Sequence, residues 1–266
     1  MKRFFATAAS LILAASVFAQ TKLVVGATPN PHAEMLNLVK DDLKAQGIDL
    51  EVKEFTDYVV PNEAVESGEI DANFFQHIPY LESFNTERKF HLVNAGGIHV
   101  EPFALYSSTN AKKKISSVKD LKKGSVIAIP NDPTNEGRAL LLLQSAGLIT
   151  LKDSASLTAT VQDIAKNGNP LKLKFREVEA ATLPMILKDV NAAVINGNYA
   201  ISAGLSAAKD GILVEGSSSP YVNVVAVKAG RENSPEIKAL IAALQSEKVR
   251  AWIKATYPNG DVVAVF

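Results

Sequence analysis

The chain has 266 residues, with Lys plus Arg at 28, Asp plus Glu at 28, 47% hydrophobic residues and no cysteine. That length suits one large domain or two of about 120 residues each, and the composition excludes a disordered or collagen-like chain. The balanced charge lacks the basic surplus that drives general nucleic-acid binding. The absence of cysteine excludes disulfides, thiolate metal sites, iron–sulfur clusters and cysteine nucleophiles.

The N-terminus reads MKRFFATAASLILAASVFAQ. Lys2 and Arg3 precede an apolar run from Phe4 to Ala15, and Val17 and Ala19 stand at −3 and −1 before Gln20. This is the pattern of a cleaved secretory signal over 1–19, too short for a membrane span of about 20 residues. Its removal leaves a net charge near −2. The mature protein is expected to be soluble and outside the cytoplasm.

Lys22 to Ala27 reads as a buried strand, followed by a Pro/Asn turn at 29–31. A helix should run to about Gln46, with Met35, Val39 and Leu43 on one face and Gly47 ending it. Leu50 to Phe55 is the next strand, Glu63 to Glu66 a short helix closed by Gly68, and Ile70 to Phe74 another strand. A helix follows near Pro79 to Asn85, then strands at Leu92-Val93 and Phe103 to Tyr106. Ser107 to Lys114 is polar and basic and marks a boundary, with a short helix expected over Ser117 to Lys123. The pattern restarts with a strand at Ser125 to Ile129, a turn, and a helix from Thr134 to Ala146. Strands at Leu171 to Phe175, Ala192 to Ile195, Gly211 to Val214 and Tyr221 to Lys228 follow, with a helix at Ala181 to Leu187. Helices at Ser234 to Leu244 and Lys248 to Tyr257 close the chain. Alternating strands and helices predict an α/β protein whose mostly parallel sheets are covered on both faces. The two halves begin alike, strand then Pro/Asn turn then helix, which predicts two lobes with a cleft beyond their strand ends.

Three stretches carry chemistry. Asp71 to Tyr80 (DANFFQHIPY) ends a strand in paired aromatics and then offers an amide, an imidazole and a phenol. Such rings can pack on an apolar or thioether chain, worth about 0.3–1.5 kcal/mol per sulfur contact, or simply fill a core. Asp132 to Arg138 (DPTNEGR) opens a helix with a cap at Asp132 and Pro133 in the first turn. There Gly137 could admit a ligand and Arg138 could grip a carboxylate with two parallel bonds, or lie on the surface beside Glu136. Asn196 and Asn198 follow a short strand, and Asn223 interrupts an apolar one. Their amides suit a zwitterion, although Asn-Gly is also ordinary turn chemistry. Catalysis finds no motif: the four histidines lack metal spacing, and neither a G-x-S-x-G elbow nor a GxGxxG loop occurs.

In order, DANFFQHIPYLESFN, IPNDPTNEGRALLLLQSAGLI and AVINGNYAISAGL resemble the NlpA-type lipoprotein family, the methionine-binding components of ABC importers, and the likeness spans about 22–266. The resemblance implies a two-lobed periplasmic-binding-protein fold with crossings near Tyr106 and Pro220: residues 20–106 plus 223–266 in the first lobe, 107–222 in the second. It implies a periplasmic, monomeric, non-enzymatic protein that binds methionine without cofactor or metal and delivers it to a membrane permease and its ATPase. Carried over by motif, Tyr58, Phe75, His77 and Tyr80 line the first lobe's side, with Phe75 and Tyr80 against the thioether. Arg138 pairs with the α-carboxylate, helped by Asn135, and Asn196 and Asn223 hydrogen-bond the amino or carboxylate end, Asn198 less so. Alternative ligands are another small amino acid or a methionine-containing dipeptide, and the alternative role is an adhesion or structural module on the same fold. Gln20 stands where the family carries a lipidated cysteine, so no lipid anchor is expected.

Overall fold

The computed structural model describes residues 20–216 and 219–266. The signal at 1–19 lies outside them. Two sheets form. The first collects β1 (Thr21–Ala27), β2 (Ile48–Glu54), β3 (Ala72–His77), β4 (Leu92–Val100), β10 (Asn223–Lys228) and β11 (Val263–Ala264) in the order β11-β4-β10-β3-β1-β2. The second has the order β7-β6-β8-β5-β9, built from β5 (Ala104–Ser107), β6 (Val126–Pro130), β7 (Lys174–Val178), β8 (Ala192–Ile195) and β9 (Gly211–Val214).

Each sheet is mixed. β1, β2 and β3 are parallel, as right-handed strand–helix–strand units require. β10 enters antiparallel between β3 and β4, because it returns from the other sheet. In the second sheet β6 is parallel to β7 and β8, while β5 runs antiparallel to β8 and β9. Placing β5 there moves the first crossing ahead of the expected Tyr106, to 101–103, and 104–106 lie in the second sheet rather than with the first lobe. The second crossing spans 215–222.

The first sheet shows the two-residue period of strands covered on both faces. Val225 and Val227 face a core with Leu23, Val25, Met35, Leu36 and Ile237. Val224 and Ala226 face a second core with Ala64, Val65 and Leu81. Helices α1 (Glu34–Lys44), α8 (Pro235–Leu244) and α9 (Glu247–Thr256) cover the former side. Helices α2 (Val60–Ser67) and α3 (Ile78–Arg88) cover the latter. In the second sheet, α4 (Pro133–Ser145) packs on Leu105, Ile127 and Ile129. The opposite face carries α5 (Leu183–Ile186), α6 (Gly197–Ser202) and α7 (Ala207–Asp210).

Three local expectations change. The helix over 117–123 is only a 3-10 turn at Val118–Asp120, closed by reciprocal bonds between Ser117 and Asp120. The strand expected at 171–175 starts later, at Lys174: the Leu171 carbonyl only accepts the Gly124 N–H from the turn before β6, and the ladder begins where the Lys174 N–H donates to the Ser125 carbonyl. Residues 181–187 form broken single turns rather than one helix.

Gly137 has a packing role. A Cβ there would stand 2.4 Å from the Leu157 carbonyl oxygen and 2.7 Å from its carbon, both backbone atoms. Gly137 therefore lets 157–159 lie on α4, in place of the expected ligand approach. Alanine normally gains about 1 kcal/mol over glycine inside a helix. Overpacking against fixed backbone costs about 1–3 kcal/mol and wins here. Gly137→Ala should lower unfolding stability by about 1 kcal/mol or more in urea titration; a more stable variant would contradict this packing.

Candidate functional site

The strand ends of the two sheets meet at one cavity. On β3, β10 and β4, His77, Asn223 and His99 stand in register across the first sheet. From the second sheet, Asn135 and Arg138 come from the first two turns of α4, and Asn196 follows β8. The space between these groups is small, about 330 Å³ with the open solvent at its mouth included. Its wall includes Tyr58, Phe75, His77 and Tyr80 from the first lobe's side. Asn135, Arg138, Asn196 and Asn223 complete the set expected from the sequence, with Asn198 beside them.

One wall is aromatic. Tyr58 stacks near Phe75 (5.7 Å between ring centres) and Tyr80 (5.8 Å), and Phe75 meets Tyr80 edge-on at 6.0 Å. The hydroxyls of this wall are occupied. Tyr80 donates to the Tyr58 carbonyl (2.9 Å) and Tyr58 donates to Asn198 Oδ1 (2.5 Å). What these tyrosines offer the cavity is therefore ring surface.

The other wall is polar, and its polarity follows from which atoms already have partners. Asn135 Nδ2 donates to the Asp132 carboxylate (2.9 Å to each oxygen), and Asn135 Oδ1 accepts from Asn196 Nδ2 (2.8 Å). His77 Nδ1 accepts the Tyr80 backbone N–H, so Nε2–H is its donor and goes to Asn135 Oδ1 at 3.1 Å. Asn135 and His77 are thus saturated and serve to position Asn196. Asn196 Oδ1 is buried with no protein partner, an acceptor left open. Asn223 is the reverse case: its Oδ1 takes His32 Nε2–H at 3.1 Å, leaving its Nδ2 donors for the cavity.

Arg138 is buried, 4% exposed, which removes the surface reading. Its Nε and Nη2 form a fork on Glu215 (3.0 and 2.5 Å), and Nη2 also donates to the Glu101 carbonyl. The guanidinium lies between the rings of Phe103 (4.6 Å) and Tyr221 (4.2 Å). The bidentate grip expected for a ligand is held by Glu215, and Nη1 is the nitrogen without a protein acceptor among the described residues.

Beneath the cavity lies a cluster not anticipated from sequence. His99 Nε2 meets Glu101 Oε1 at 2.7 Å, and His32 Nε2 lies 3.5 Å from the same oxygen. Thr28 Oγ1 donates to His32 Nδ1 at 2.8 Å. Burial pushes His32 down to about 4 and His99 down to about 3, and it raises Glu101. These three are the one His/Asp/Glu group among the described residues compact enough to hold a metal ion. Hydrogen bonds already engage the converging atoms, His99 Nε2 with Glu101 Oε1 and His32 Nε2 with Asn223 Oδ1. Glu101, Gln76 and Gly197 also line the cavity, and the sequence reading missed them. Gln76 is tied into a buried amide network with Asn62 and Asn73. A glutamate directly after an apolar strand was the available signal for Glu101; nothing local marks Glu215.

The NlpA lipoprotein family model matches residues 23–266. The chain belongs to the NlpA lipoprotein family. It is 47% identical to the membrane lipoprotein TpN32 of Treponema pallidum, over 90% of this chain and 86% of that protein. It is 43% identical to the D-methionine-binding lipoprotein MetQ of Escherichia coli K12, over 90% and 86%. Among solved structures, a nutrient binding protein from Burkholderia cenocepacia bound to methionine is 44% identical, with a TM-score of 0.86 over 92% of this chain and 100% of that one.

Membership of the NlpA lipoprotein family agrees with the two-sheet architecture and with an extracytoplasmic setting. The relatives are named as lipoproteins, so they lend no support to the expectation of an unanchored protein, which rested on the missing cysteine alone. No described helix is long and apolar enough to cross a membrane.

His77 is held neutral: burial first and the Arg138 charge second lower it to about 3. A lowered folded value stabilises the protein fully above the ordinary value near 6.5, and this is lost as pH falls toward 3. Asparagine can also cap α3, so His77→Asn removes the titration while keeping the cap. The stability difference, wild type minus variant, should rise by roughly 1.4 kcal/mol per pH unit from about pH 4 to 6. Urea unfolding across that range checks it, and a flat difference would contradict neutral burial.

Proposed function

We propose that this protein is the solute-capturing component of an ABC importer, that its ligand is methionine, and that Tyr58, Phe75, His77, Tyr80, Asn135, Arg138, Asn196 and Asn223 form the binding site. The carrying observation is the division of one cavity into an aromatic wall and a polar end with open donors and an open acceptor. Arg138 Nη1 and Asn223 Nδ2 face the α-carboxylate. Asn196 Oδ1 takes the ammonium. Phe75 and Tyr80 pack on the thioether, where sulfur–aromatic contact adds to apolar burial. Relatives named for methionine binding, and a related structure bound to methionine, support the choice of solute.

Capture needs no chemical step, only closure around the solute. Several bonds already join the lobes: Tyr58 to Asn198, His77 to Asn135, Tyr199 to the Thr56 carbonyl at 3.0 Å, and Asn30 to Ser202 at 3.2 Å. Each pairs groups that water would satisfy in an open form, so the net gain per bond is modest, about 0.5–1.5 kcal/mol. A ligand bridging both polar ends tips that balance, and the closed rims are then presented to a permease and its ATPase.

Calorimetry with L-methionine tests the reading. Wild type should bind, and Asn223→Asp, which replaces the open donors with an acceptor, should bind at least about 30-fold more weakly, or about 2 kcal/mol. No heat from wild type under conditions that strip retained ligand would withdraw methionine as the solute. Equal affinity in the variant would withdraw Asn223 from the site.

A further inference from the structure

The end of the second lobe farthest from the cavity carries a charge that the cavity does not use. β6 and β8 run from that end toward the first lobe, so Ser125 and Asn191, just before them, mark it. Around these two, six lysines face one open hollow: Lys112, Lys113, Lys114, Lys119, Lys122 and Lys123. Lys113 is half-buried and the others are exposed. β6 is five residues long, which sets the hollow roughly 15 Å behind the cavity at about 3.3 Å per residue.

The loop that bears the lysines is held in shape. Leu121 is buried in the core beneath it, and Lys113 Nζ donates to the Asp189 carbonyl at 2.5 Å. Asp120, the one carboxylate in the hollow, accepts the backbone N–H groups of Ser116 and Ser117, both at 2.9 Å. None of the six lysines forms an ion pair among the described residues, whereas Lys22, Lys53, Lys152, Lys228 and Lys248 each meet a carboxylate. With the six lysines and Asp120 set aside, residues 20–266 keep 20 basic and 27 acidic side chains, a net charge near −7. The molecule is acidic with one basic pole, and such a charge distribution steers that pole toward a negative partner.

The chemistry of the hollow selects among negative partners. Lysine ammoniums are hydrated point charges on flexible stems, and no arginine fork lines the hollow to grip a single phosphate in two bonds. No aromatic ring lines it on which a nucleic-acid base would stack. Its apolar side chains, Ile115 and Leu121, pack inward on the core. What remains is a cluster of unpaired lysines, the arrangement that diffuse attraction to a charged bilayer uses.

We infer that this lysine pole attaches the protein reversibly to anionic lipid headgroups, holding it at a membrane surface by charge while the cavity at the other end of the lobe stays free to open and close. The attachment is independent of which solute the cavity takes and uses no residue of the binding site.

The test uses the chain from Gln20 onward, which holds every described element. It is sedimented with vesicles of phosphatidylcholine alone and with vesicles containing one-third phosphatidylglycerol. Wild type should pellet with the anionic vesicles and not with the neutral ones. Its partition should fall at least about tenfold as salt rises from about 20 to about 200 mM, because exposed charges are screened over a Debye length. Lys112→Gln, Lys114→Gln, Lys122→Gln and Lys123→Gln together should lower the partition at least about tenfold at low salt, and arginine at the same four positions should keep it. Equal pelleting by the glutamine variant overturns the inference, as does wild type pelleting equally with both kinds of vesicle or with neither. Pelleting without vesicles, lost in the glutamine variant, would put a second copy of this chain on the pole and overturns the lipid assignment. Tighter binding to polyglutamate than to anionic vesicles at equal charge, read by competition, would make an acidic polypeptide the partner and overturns it too. The salt series and the neutral vesicles read wild type alone and decide the matter even where the glutamine variant fails to fold in a thermal melt.

Discussion

A polar group carried into the space between the two sheets must find a partner there, and the side chain of Asn135 meets that demand for the largest share of them. Its amide nitrogen is consumed by Asp132 at the start of α4, and its oxygen collects His77 from one lobe and Asn196 from the other. Once these bonds are made, few atoms are left open: Asn196 Oδ1, the Asn223 amide nitrogen and one arginine nitrogen. The specificity of the cavity is the residue of that accounting. An unpaired buried group costs about 1–3 kcal/mol, so a ligand that completes the set gains affinity and one that cannot is rejected.

The fold supplies these groups by topology. β10 returns antiparallel between β3 and β4, which puts Asn223 between His77 and His99. β6 and β8 both run toward the first lobe, so the first turn of α4 after the one and the N-cap of α6 after the other deliver Asn135 and Asn196 to the same place. The Arg138–Glu215 pair belongs to this framework as much as to the ligand. Glu215 follows β9 at the start of the second crossing, and Tyr221, whose ring centre lies 4.2 Å from the Arg138 guanidinium, stands two residues before Asn223 on β10. Moving the crossing therefore moves the guanidinium, which ties the hinge to the polar end of the cavity.

Much of this was legible in the residues. Alternation and apolar runs marked β1, β3, β6, β8 and β10, because each is covered on both faces and its pattern is local. The caps of α4 and the glycine after α2 were legible for the same reason. All eight residues named for the site line one cavity, and what the sequence could not show was which of their atoms remain open. That depends on partners far away in the chain: His32 fixes Asn223 across 191 residues, and Glu215 takes Arg138 across 77. The short helices α6 and α7 and the two-residue strand β11 escaped because elements that brief have no period to read. The crossing ahead of β5 was displaced because an apolar strand looks alike in either sheet, and only pairing with β8 and β9 decides its place.

The central claim is the direction of the ligand: carboxylate toward Arg138 and Asn223, ammonium toward Asn196, thioether among Phe75, Tyr80 and Tyr58. A crystal structure of the complex with L-methionine measures it directly. The account predicts carboxylate oxygens within hydrogen-bond distance of Arg138 Nη1 and Asn223 Nδ2, with the sulfur over the aromatic rings. A ligand lying the other way round, with its ammonium at Asn223 or its sulfur at the polar end, would contradict it.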